Sequence, residues 1–208
     1  MRRADREVKD EKRIDEIIRA CDCCRLGFID GDSVYIVPLN FGFAKEDGKR
    51  VFYFHSAREG KKIELIKANP VVGFELDTNH SLHAGEKACD YSFSFSSVIG
   101  KGRVSLVNDV DEKKKGFQHI MNHYAGNRDW QFTDADVGRV AIIRMEVIEL
   151  SCKERKWWLA RWIVDRLLYW FPLTMLFVRL CTVVAYIVLN SWMIFMKYRY
   201  CCHNKKCY

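Results

Sequence analysis

The run CRLGFIDGDSVYIVPLNFGFAKEDGKRVFYFHS, residues 24–56, decides the fold. CRLGFID and SVYIVPLNF read as strands joined by Asp30-Gly31-Asp32, and Asp-Gly between strand-like runs is a strong hairpin signal. A second turn falls at Glu46-Asp47-Gly48, followed by the strand RVFYFHS. Two such turns in succession predict a β-meander of three strands.

Working outward, helices and strands alternate on both sides. A helix is expected over about 10–20, with Ile14, Ile17 and Ile18 on one face at helical spacing. After RVFYFHS another helix is expected to start at Ser56, because Ser56 and Glu59 stand at capping-box spacing. Ile63, Leu65 and Ile66 supply its buried side, and Asn69-Pro70 stops it. VVGFELD is the next strand. FSFSSVIGKGRVSLV is a long one, bent at Gly100 or Gly102, since glycine inside a strand often marks a bulge. A third helix opens at Asp109 with Glu112 three residues on. It carries Phe117, Ile120, Met121 and Tyr124 as its apolar stripe and ends at Ala125-Gly126-Asn127. RVAIIRMEVIEL closes the body. The fold class is mainly β with inserted helices, about six antiparallel strands forming a sheet or small barrel.

Composition changes abruptly at Lys156, so two segments are expected, 1–156 and 157–208. The chain has 208 residues and a net charge of +7. Residues 157–208 hold seven Lys or Arg against the single acid Asp165, a net of +6 that leaves only +1 for residues 1–156. The basic balance belongs to the tail and gives no reason to expect a nucleic-acid partner. Within the tail, Leu180–Met196 is a charge-free run of 17 residues, and Leu173–Met196 is 24 residues broken by Arg179. That is long enough for a helix to cross a bilayer. The tail reads either as a membrane anchor or as an out-of-frame extension, and function is expected in residues 1–156.

Nine cysteines are an odd number, and MRRADREVKDEKR has no apolar run behind it. No disulfide framework and no secretory signal are therefore expected, which suits a cytoplasmic body with free thiols. No metal site is expected. Cys21-x-Cys23-Cys24, His119 with His123, and His80-x-x-His83 with Cys89 all lack the paired C-x-x-C spacing of a structural zinc site.

The chemistry concentrates where the strand ending at His55 passes into the helix. Arg58, Lys61 and Lys62 stand at the start of a helix, the positive end of its dipole, where cations are mildly unfavourable. They read either as a solvated face or as a phosphate socket completed by the free N–H groups of the first turn. His55 reads either as a packed strand-end histidine or as a proton donor.

IVPLNFGF, then VFYFHSAREGKKIELIKANP, then VGFELD, then GEKACDYSFSFSSVIGKGR, in that order, resemble the pyridoxamine 5′-phosphate oxidase-like flavoproteins, and most of all their nitroimidazole-resistance branch. The resemblance runs from MRRADREV to about Lys156. It implies an FMN-binding split β-barrel and a homodimer with flavin at the subunit interface. It further implies that Pro38, Leu39, Asn40 and Phe41 lie along the isoalloxazine and that His55, Ser56, Arg58, Lys61 and Lys62 hold the ribityl phosphate. Ser97 and Val98 are implied to pack near the ring. FMN needs an anion site, a flat slot and a few backbone donors, and these segments offer them. The activity expected is FMN-dependent reduction of small electron-poor substrates such as 5-nitroimidazoles, with NAD(P)H or another cellular reductant as donor. GKGR at 100–103 lacks the GxGxxG pattern of a dinucleotide site. The alternatives are pyridoxamine 5′-phosphate oxidation and a non-catalytic flavin- or nucleotide-binding module.

Overall fold

Both expected hairpin turns form. Gly31 takes φ 60°, and β1 (Cys24–Asp30) pairs with β2 (Ser33–Leu39) from Asp30 opposite Ser33 to Cys24 opposite Leu39. Asp47 and Gly48 both have positive φ, and β3 (Phe41–Glu46) pairs with β4 (Lys49–Ser56). These observations come from a computed structural model that describes residues 3–156.

The three-strand meander does not form. Asn40 alone separates β2 from β3, and one residue cannot reverse the chain into an antiparallel pair, which needs at least two. The run therefore breaks into two strands, giving seven rather than about six. The remaining strands are β5 (Val71–His83), β6 (Ser92–Val107) and β7 (Ala141–Arg155). All pairings are antiparallel, in the order β2-β1-β5-β6-β7-β4-β3. β2 and β3 thus form opposite edges of the sheet while lying one residue apart in the chain. At about 3.5 Å per residue the edges must curl together at Asn40, yet no ladder joins them. The result is the expected split barrel, with its seam at Asn40. Register between β6 and β7 slips at Lys101/Gly102, where the sequence places its glycines.

The curled sheet has two apolar layers. Inside, Phe52 packs against Phe41, Phe43 and Phe74 at ring separations of 5.5, 5.4 and 5.6 Å. Ile14, Ile17 and Ile18 of α1 (Glu11–Arg19) and Ile63 and Ile66 of α2 (Lys61–Ala68) close this core. Outside, α3 (Val110–Ala125) lies over β3, β4 and β7, and Ile120 joins Ala44, Val51, Tyr53, Val107 and Ile142 in a second core. A short α4 (Asp134–Gly138), absent from the sequence reading, follows α3 and is capped by Thr133.

Of the two caps expected from the sequence, the one at Asp109 forms, and the structure adds one at Asp10. The Asp10 carboxylate accepts from Lys12 N at 3.0 Å, and that of Asp109 from Glu112 N at 2.8 Å. The capping box at Ser56 and Glu59 does not form. β4 runs through Ser56, which pairs with Ala141 of β7, so the ladder claims the residue that a local cap would need. The helix starts at Lys61, after Gly60 with φ 115°, and no side chain caps it.

All five described cysteines are free thiols. Among the described residues no helix is long and apolar enough to cross a membrane. The hydrophobic segment 157–208, with both readings of it, lies outside the described residues.

Candidate functional site

Shifting the start of α2 changes what the phosphate socket consists of. The N–H groups of Ile63 and Glu64 already bond to the Gly60 carbonyl. Among the described residues those of Lys61 and Lys62 are the unpaired ones of the first turn, in place of the N–H groups that a helix starting at Ser56 would have left free. The space beside Gly60 is open, with no atom within 4 Å of where a Cβ would stand.

The three cations are not equivalent. Lys61 pairs with the Asp30 carboxylate at the end of β1, and its ammonium lies 5.1 Å from the centre of the Tyr35 ring. Bonding to Asp30, acting against a smaller effect of desolvation, raises its pKa. Arg58 is exposed and, among the described residues, reaches only the Gly138 carbonyl, at 3.5 Å. Lys62 is half-buried and has no carboxylate partner among the described residues, and burial alone lowers its pKa. A partly desolvated ammonium without a counter-charge, next to two free N–H groups, is the arrangement that gains most from an anion. Ser56 ends β4 just before this turn, 8% exposed, with no hydrogen bond to its hydroxyl among the described residues.

Register sorts the other predicted residues by face. Pro38 pairs with Arg25, Arg25 with Glu75, Glu75 with Ile99; Ser97 lies in the next such row, beside Asp77. Pro38 and Ser97 therefore share the outer face of the sheet. So does His55, which follows Tyr53 on the side of β4 that α3 covers and stacks against Phe117 at 6.3 Å. Val98 and Phe41 face inward and are fully buried. Leu39 packs against the same inner core, and Asn40 is exposed at the seam. The Phe41 N–H is already committed, donating to the Tyr124 hydroxyl at 3.1 Å, which donates in turn to the Asp22 carbonyl at 2.8 Å. The aromatic stripe of α3 thus includes a strap across the seam.

Sequence reading missed Asp30, taken as a turn residue, and Tyr124, taken as part of an apolar stripe. Their second roles depend on partners distant in sequence. Among the described residues no three His, Cys, Asp or Glu side chains converge to hold a metal ion.

Residues 10–154 match the sequence profile of the family described as pyridoxamine 5′-phosphate oxidase. Among solved structures the chain is similar to a candidate 5-nitroimidazole antibiotic resistance protein from Bacteroides thetaiotaomicron. That likeness is 31% identity over 71% of this chain and 86% of that one, with a TM-score of 0.61. The flavocytochrome Anf3 from Azotobacter vinelandii shares 18% identity over 76% of this chain and 72% of its own, with a TM-score of 0.62. An FAD- and heme-binding protein from Mycobacterium smegmatis shares 11% over 73% and 74%, with a TM-score of 0.63. The last two likenesses show the fold alone. No match was found among curated proteins.

Proposed function

The chain belongs to the pyridoxamine 5′-phosphate oxidase family, and from that premise we propose that it is an FMN-dependent oxidoreductase acting on small electron-poor substrates such as 5-nitroimidazoles. The observation that carries the reading is Lys62, a half-buried ammonium with no counter-charge among the described residues, beside the uncapped start of α2.

The residues present fit the flavin. Lys62, the N–H groups of Lys61 and Lys62 and the Ser56 hydroxyl would hold the phosphate. The open space beside Gly60 admits it. Pro38 and Asn40 at the seam and Ser97 on β6 would border the ring. FMN supplies the two-electron transfer between reductant and substrate when bound.

The chain's own work is binding, orientation and proton supply. Taking a nitro group to the nitroso level consumes two electrons and two protons and releases one water. NAD(P)H gives up a hydride, and the imidazole of His55, stacked against Phe117, would deliver a proton. Two copies pair through the open outer face of β1, β2 and β6, where Ile29, Val34, Ile36 and Ile99 are exposed. Pairing there would exclude water from the face that carries Pro38 and Ser97.

Nitroimidazole reduction is preferred to pyridoxamine 5′-phosphate oxidation because the relative at 31% identity is a candidate 5-nitroimidazole antibiotic resistance protein. The test is the visible spectrum of the purified full chain, followed under anaerobic conditions. Flavin bands that bleach with NADH and return on adding a 5-nitroimidazole are expected. A colourless protein that does not take up FMN would overturn the reading, and bleaching without return would remove the substrate class.

A further inference from the structure

We propose that the groove between α3 and β3 is a second ligand site, taking a small organic anion with a flat body. It goes beyond the flavin reading, and no residue assigned to the flavin lines it.

The groove is open on one side and offers about 550 Å³. Its charged lining is Arg19 at the end of α1, Lys45 and Glu46 on β3, and Lys115 on α3, three cations against one acid. The acid is already satisfied, because Glu46 accepts from the Tyr53 hydroxyl at 2.8 Å and pairs with Lys115 at 2.6 Å and Arg144 at 2.8 Å. Lys45 is held by Asp15 at 2.6 Å. Arg19 has no carboxylate partner among the described residues. Its guanidinium lies 4.8 Å from the centre of the Phe43 ring, flanking the groove. A guanidinium resting on a ring keeps its N–H edge free, and that planar fork matches a carboxylate.

The remaining walls are neutral and flat. His119 stacks on Tyr53 at 5.5 Å with 14° between the rings and makes no hydrogen bond among the described residues. Its pKa is lowered by burial first and by the Lys115 charge second. His123 Nε2 lies 2.8 Å from the Cys21 carbonyl and donates to it. Asn122 uses its oxygen to accept from Gln118, and its NH₂ has no acceptor among the described residues. Asn127 also lines the groove. Volume decides the class of ligand. Pockets of about 300–1,000 Å³ hold small organic molecules, and an inorganic ion would leave most of this one to water. Net positive lining with one free guanidinium selects an acid, and the imidazoles suit a planar body.

Tyr53 and His55 are alternate residues on one face of β4; His119 of α3 stacks on the first and Phe117 on the second.

The test uses the full chain and benzoate as probe, with benzylamine (the same shape, opposite charge) and inorganic phosphate as controls, followed by calorimetry and by histidine-selective NMR. Benzoate should bind, shift the ring signals of His119 and His123, and be weakened at least tenfold by Arg19→Gln, partly restored by Arg19→Lys. Lys62→Ala should leave it unchanged. Benzylamine binding as well as benzoate, phosphate competing as well, or Arg19→Gln having no effect would each overturn the proposal. Loss of benzoate binding in Lys62→Ala alone would move the probe to the flavin phosphate position and overturn it as well.

Discussion

Lys61 and Lys62 are neighbours with different electrostatic positions. Lys61 has Asp30 and the Tyr35 ring, whereas Lys62 is partly buried with no carboxylate partner among the described residues. Removing a charge-assisted hydrogen bond costs about 1.5–3 kcal/mol, so Lys62→Ala should weaken FMN binding about 10- to 100-fold. Lys61→Ala should weaken it several-fold less, because its ammonium is already bound elsewhere. Quenching of flavin fluorescence on titration measures both, and equal losses would remove the distinction. The sequence showed three cations at one helix start, but that Lys61 is the paired one depends on Asp30, a residue of another hairpin. A second residue-scale prediction concerns Glu46. Burial works against its charge, but hydrogen bonds from Lys115, Arg144 and Tyr53 outweigh this and hold the carboxyl at about 2, below its ordinary 4.5. A lowered carboxyl contributes stability that is complete above its unfolded value and lost as pH falls through the folded one. About 1–3 kcal/mol should therefore disappear between about pH 5 and pH 2. Glu46→Gln should remove that part of the profile, as read by chemical denaturation at a series of pH values.

At the scale of elements, the packing of α3 on β3 turns on Gly42. A Cβ there would run into the backbone of His119 and Ile120, so the helix can lie this close only over a bare backbone. Gly42→Ala should destabilise the fold by about 1–3 kcal/mol through overpacking, seen as a lower thermal midpoint. Gly73→Ala, with open space around it, should change little by comparison. Strands with a turn at each end were legible in the sequence, since Asp-Gly signals fixed β1–β2 and β3–β4 locally. The cap of α3 was legible because Asp109 acts on an N–H group three residues on. The start of α2 was not. Ser56 and Glu59 satisfied the local pattern, but hydrogen bonds from Ser56's position to β7 compete with the cap and win. The outcome moves the free N–H groups to Lys61 and Lys62 and is what places them beside the unpaired ammonium.

For the whole molecule, strand order was beyond local reading, because it is set by ladders between segments far apart, such as β4 with β7 and β1 with β5. One local fact does constrain it. With a single residue between β2 and β3, the two cannot pair, and each must find its partner elsewhere. That leaves both as edges and leaves the outer face divided. α3 covers the β3–β4–β7 half, while the β1–β2 half presents Ile29, Val34 and Ile36 at 58%, 64% and 62% exposure. Three large aliphatic side chains on one sheet face are costly to keep in water, each worth about 1.5–3 kcal/mol on full burial. A second copy of the chain is the proposed cover. Replacing Val34 and Ile36 together by Asp forfeits about 3–6 kcal/mol of that burial and sets charges where apolar surface met. At about 1.4 kcal/mol per tenfold, the dimer should weaken at least 100-fold. Sedimentation equilibrium should then find monomer at concentrations where the unaltered chain is dimeric. Both substituted residues point away from the inner core, so the circular dichroism spectrum should persist. If flavin sits at that interface, FMN affinity should fall along with dimerisation. Monomer that keeps full FMN affinity would separate the two, leaving a flavin site complete within one chain.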